Sequence, residues 1–168
     1  MKWGVHIYRL VMVLLLQVFL FNQMQISGYI QPAFFLFFVL MLPLKSSAAL
    51  RLISAFVIGI LVDMFTQTMG LHTAAVVLMA YVQHYLIPRM KISKDMDVSK
   101  SPSLKVVSLG WFAMYAAILI FIYHLAYFVL DAFSLPFVLR HFYRVFISSF
   151  ATFIVVMAAY LINYRSVK

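Results

Sequence analysis

Apolar residues run along this chain in six blocks, at about 5–21, 29–44, 48–65, 71–87, 106–130 and 142–162, with short polar or charged stretches between them. Within the blocks, polar residues do not recur at every second position, which excludes the alternation of a membrane barrel strand. Continuous apolar runs of this kind predict helices, because a bilayer offers no hydrogen-bond partner to an open strand edge. The second block is short and is bracketed by Pro32 and Pro43. About 16 residues rising 1.5 Å each cover only about 24 Å of a hydrocarbon core roughly 30 Å thick. The fifth block is long enough to tilt. No internal repeat supports an inverted-repeat transporter. The pattern predicts an all-α membrane protein, a single polytopic domain over 1–168 with six transmembrane helices.

Composition agrees. Of 168 residues, 66% are hydrophobic and only 10% charged, where soluble domains are about 45–50% apolar. Mean hydropathy is +1.04. The net charge of +9 does not form one continuous basic patch, so it does not point to nucleic acid. It reads as topology instead. With the N-terminus inside, Lys2, Arg9, Lys45, Arg51, Arg89, Lys91, Lys94, Lys100, Lys105, Arg165 and Lys168 flank the cytoplasmic face, and only Arg140 and Arg144 lie opposite. That bias predicts both termini on the cytoplasmic side, N-in/C-in. The charged start also fits a signal peptide, but no small-x-small cleavage site follows, so the first block reads as a retained span. The loop 88–105 carries most of the basic residues between blocks. It reads either as a solvated topology determinant against anionic lipid or as a docking site for a cytoplasmic partner. The absence of cysteine excludes disulfides, thiolate catalysis and cysteine-ligated metals.

Candidate chemistry centres on Asp63, the one carboxylate embedded in an apolar block, in a chain with four acidic residues. Ala55, Gly59 and Asp63 are spaced by four and share one helix face. Ala55-x3-Gly59 is a small-xxx-small pattern that admits a neighbouring helix, and Gly70-x3-Ala74 repeats it across a short turn. The two small faces are expected to pack as an antiparallel hairpin, with Asp63 beside the N-terminus of the next helix, a favourable place for a carboxylate. Thr66, Gln67 and Thr68 are expected to donate to it or cap that helix. Three readings compete. Asp63 staples the hairpin, accepting from backbone, His72 or threonine; it helps build an outward site for a partner helix or ligand; or it relays a proton or ion. The relay lacks further acids across the membrane.

Arg140 and Arg144 lie near the outer start of the sixth block with His141 between them. They read as snorkelling to headgroup phosphates, or as pairing with Asp63 in a polar notch that includes His72. Histidines in other blocks show no ligand spacing, so no metal is expected. No nucleophile–base pair, phosphate loop or dinucleotide fingerprint is present, and no catalytic residues or cofactors are expected.

Gly59-x3-Asp63, an uncharged turn, Gly70-x3-Ala74 and a following apolar helix resemble the signature of the rod shape-determining protein MreD family. The chain length, the short Pro-bearing second span and the six predicted helices fit that resemblance. It implies a fold similar to the substrate-binding subunits of energy-coupling-factor transporters. It also implies a non-catalytic, multi-pass scaffold of the bacterial inner (cytoplasmic) membrane, part of the cell-elongation machinery, that binds MreC and helps couple MreB to the peptidoglycan polymerase RodA and its transpeptidase partner. A substrate-capture subunit of a micronutrient transporter is the alternative.

Overall fold

The computed structural model describes residues 32–90, 101–103, 106–132 and 142–165. The expected first span, most of the loop 88–105, Arg140 and His141 lie outside the described residues. Among those residues all regular structure is helical: α1 (Leu36–Leu40), α2 (Ala48–Thr66), α3 (Leu71–Arg89), α4 (Leu109–Ala132) and α5 (Phe142–Arg165). Three of them, α2, α4 and α5, are long and apolar enough to cross a membrane, which marks a membrane protein. The 19-residue α3 is as long as α2 but is interrupted by His72, Gln83, His84 and Arg89, and is less apolar.

Local chemistry explains the helix ends. The Ser47 hydroxyl accepts from the Leu50 N–H at 3.3 Å and starts α2. The Ser108 hydroxyl does the same for Trp111 at 3.2 Å, so α4 begins at Leu109 rather than at 106. Pro88 does not close α3, which runs one residue further. A proline in the last turn removes a single N–H, the one that would reach His84, and the Arg89 guanidinium adds a bond to the next carbonyl, Tyr85, at 2.7 Å.

The largest departure from expectation is the second block. In place of a regular span over 29–44, the described part contains one five-residue helix, α1, with irregular backbone on either side. Every residue from Ala33 to Leu44 is buried, and Phe35, Leu36, Val39 and Leu40 are fully so. Non-helical backbone at membrane depth is tolerated only where protein surrounds it, and here it does. The helices α2, α3, α4 and α5 pack in sequence, each on the next. Phe112 of α4 stacks on Tyr160 of α5 with centroids 3.7 Å apart.

Side chains from all four long helices hydrogen-bond to the backbone of this segment. Thr152 of α5 accepts from the Ala33 N–H at 3.0 Å. Gln83 of α3 donates to the Val39 carbonyl at 3.1 Å and to the Tyr115 hydroxyl. Tyr115 of α4 reaches the Leu40 carbonyl at 3.4 Å. Arg51 of α2 donates to the carbonyls of Pro43 at 2.9 Å, Leu44 at 2.7 Å and Ser46 at 3.4 Å. Arg51 is therefore not the solvated topology marker that charge counting makes of it. It is 1% exposed, drawn inward by the Leu44 carbonyl and by the Pro43 carbonyl, which also accepts from the Ser46 N–H at 3.0 Å.

Candidate functional site

The α2–α3 hairpin joins two close-packed helices through a short, internally bonded turn. An added Cβ on Gly59 would lie 2.5 Å from the Thr73 Cα and 3.0 Å from the Val76 Cγ1. Only glycine permits that approach. Ala55, one turn earlier, is fully buried. Ala74 differs from expectation, because it is exposed and Thr73 is the residue that meets Gly59. The helix rotates so that positions 72, 75, 76 and 79 face inward, and the Gly70-x3-Ala74 spacing is not the packing face. Gly70 has a different role. Its φ of 84° is left-handed and no neighbour lies within 4 Å of its would-be Cβ, so the turn selects glycine for backbone shape. Gln67 closes α2 in the same left-handed region, at φ 55°.

Asp63, 7% exposed, sits on the last turn of α2 and faces the first turn of α3. One carboxylate oxygen, Oδ1, accepts from the Thr68 hydroxyl at 2.5 Å and the His72 backbone N–H at 3.1 Å. The other, Oδ2, accepts from the Thr73 N–H at 2.9 Å and the Thr73 hydroxyl at 2.5 Å. The Thr66 hydroxyl stands 2.7 Å from that of Thr68 and steadies it. A carboxylate offers about four lone-pair positions, and four donors occupy them. The anion also lies at the positive end of the α3 dipole. This geometry holds two helices together and leaves no ready position for a metal or a transferable proton. Among the described residues no group of three or more His, Asp, Glu or Cys could hold a metal ion.

His72 touches Asp63 only through its backbone. Its imidazole turns into the core, where Nδ1 meets the Tyr123 hydroxyl at 2.5 Å and the ring stacks on Tyr127 at 4.7 Å. Phe35 packs edge-on against both His72 and Tyr123, which ties the hairpin to the central segment. Deeper in, His124 donates from Nδ1 to the Ile120 carbonyl at 2.9 Å, so Nε2 is free to accept from Thr152 at 3.3 Å. Arg144 lies in the first turn of α5, half-buried, and the four hydrogen bonds to Asp63 all come from the turn and the start of α3. Beside the hairpin an open cleft of about 330 Å³ is lined by Ile60, Asp63, Met64, Gln67, Thr68, Met69, Gly70 and Thr73. Met64 and Met69 project freely from its rim.

Gln83, Tyr115 and Thr152, which hold the central segment from α3, α4 and α5, have no local sequence pattern, since their partners lie 44 to 119 positions away, whereas those of Arg51 lie within eight. One signal was available for Gln83. A lone amide inside an apolar helix asks for a buried partner just as Asp63 does. No protein-family model matches the chain, and no curated protein or solved structure matches it either.

Proposed function

We propose that this protein is a non-catalytic scaffold of the bacterial cell-elongation machinery, of the MreD type, and that it acts by binding. The supporting observation is the hairpin. Gly59, Asp63 and Gly70, the positions that carry the family resemblance, each have a separate task in one rigid element: close approach, cross-helix bonding and turn shape. The hydrogen-bonding capacity of Asp63 is consumed inside that element, which suits a shaped surface better than a reaction centre. The cleft beside it has a rim of methionines, whose flexible side chains suit protein contacts. On this reading the chain crosses the inner membrane six times with both ends inside, and is similar in fold to the substrate-binding subunits of energy-coupling-factor transporters. MreC is the direct partner, with MreB, RodA and the transpeptidase assembled through it, and lipid surrounds the rest.

Co-purification from membranes tests this. Recovery of the MreC homologue with the wild-type chain, and its loss with Met69→Arg at the exposed rim, is the expected result. Cells that remain rods after depletion would remove the elongation role. A second reading, substrate capture for a micronutrient transporter, has one observation in its favour: Arg51, Gln83, Tyr115 and Thr152 converge on the interior. Those groups bind backbone of the same chain, and side chains such as Phe35 and Leu36 fill the space. A tightly held small molecule co-purifying with ATPase subunits would favour that reading.

A further inference from the structure

Lipid tails are as apolar as Phe35, Leu36 or Leu40, so in a bilayer the burial of those side chains supplies little drive beyond packing. A five-residue helix does not sustain itself either, because helices shorter than about 12 residues are marginal alone. What resists departure of the 33–44 segment is the loss of its hydrogen bonds from the surrounding helices at that depth, because the local Leu42 and Ser46 N–H groups reach only the Val39 and Pro43 carbonyls and not Leu40 or Leu44. The hydrogen bonds from the four surrounding helices therefore decide where the segment sits, and they are unequal. Arg51 makes two short bonds to it, 2.7 and 2.9 Å, both at the C-terminal end, against 3.0 Å from Thr152, 3.1 Å from Gln83 and 3.4 Å from Tyr115. It is also the charged donor, and such bonds are roughly twice as strong as neutral ones.

The socket has more polar capacity than the segment uses. The Nη1 atom of Arg51 and the Oε1 atom of Gln83 are buried without a hydrogen-bond partner. Gln83 donates from its amide nitrogen to the Tyr115 hydroxyl, which itself reaches the Leu40 carbonyl of the segment. Meanwhile the long helices pack directly on one another, α2 on α3, α3 on α4 and α4 on α5. Their arrangement does not pass through the end of α1. We propose that Arg51 is a latch, and that residues 39–44 open as a unit within an otherwise intact bundle when it lets go. In the opened form Arg51, Gln83 and Tyr115 face one polar space, which water or a small polar molecule fills. The device is a switch between a filled interior and a polar one, and it does not depend on the scaffold reading.

The natural chain has no cysteine, so an introduced one reports alone. Leu40→Cys and Leu119→Cys place thiols at two fully buried positions, one in the latched segment and one in α4. In membranes a small water-soluble thiol reagent should label both slowly. Arg51→Gln should speed labelling at Leu40→Cys by about tenfold or more, the factor expected for losing a charged hydrogen bond, and leave Leu119→Cys unchanged. Equal acceleration at both positions means general loosening and overturns the latch; no acceleration at Leu40→Cys overturns it as well. If Arg51→Gln does not accumulate, Tyr115→Phe removes the neighbouring tether. It should give a smaller rise at Leu40→Cys alone, and no rise there counts against the proposal.

Discussion

Asp63 and Gly59 show how single atoms set the hairpin. Replacing Asp63 by Asn keeps the shape but turns an NH2 group toward donors that need an acceptor, leaving at least one buried N–H or hydroxyl unmatched. The expected loss is about 2–4 kcal/mol in detergent thermal or denaturant stability, since bonds to charged groups and orphaned donors each carry about 1.5–3. Gly59→Ala forces a Cβ into the Thr73 backbone, and overpacking of that kind costs about 1–3 kcal/mol. Both changes loosen the same contact, because Thr73 meets both residues. The double variant should therefore lose less than the sum of the single ones, and strict additivity would separate the two effects. Asp63 was legible in the sequence as the polar centre of a helix pair. The orientation of Thr73 and Ala74 was not, because a four-residue spacing fixes a face without saying which side of it meets the neighbour.

Turn shape belongs to the element. Gly70 occupies a left-handed conformation with open space around it, so Gly70→Ala should lose about 1–2 kcal/mol from backbone strain alone. Gly110, helical and equally uncrowded, is the control, and Gly110→Ala should lose nothing. Gln67 holds the mirror case, a side-chain-bearing residue at φ 55°, and Gln67→Gly should raise stability by up to about 1 kcal/mol. Melting temperatures of the three variants, measured side by side, check all of these signs. Four long helices were legible from apolar runs, with ends displaced by a few residues where Ser108 caps or Pro88 is absorbed. The second block was not. Its apolar residues read as a span, while its two prolines and the distant donors Gln83, Tyr115 and Thr152 make it a short helix within irregular backbone.

At the scale of the whole molecule, the proposed orientation places Lys45 and Ser101 at the inner face and Met69 at the outer. Cysteines placed singly at these exposed or half-exposed positions should be reached by an impermeant reagent from the cytoplasmic side at the first two and from the outside at the third. Labelling of Met69→Cys from the cytoplasm would invert the topology. Charge counting gave that orientation with Arg51 included, yet Arg51 is a core residue, and the bias survives without it because many other basic residues share its side. The placement of Arg51 and Asp63 has an electrical consequence. Both oppose the dipole of α2, with the cation near its start and the anion near its end, and each is matched by the adjoining segment. Twelve residues apart, they are separated by about 18 Å along the helix. In the proposed orientation the positive end lies toward the negative interior of an energised cell and the negative end toward the outside. At roughly 2.3 kcal/mol per charge per 100 mV across the full membrane, that separation is favoured by about 1.4 kcal/mol per 100 mV. In that orientation the resting potential would help hold this helix the right way up, and collapsing it should relax the protein at Arg51 and Asp63.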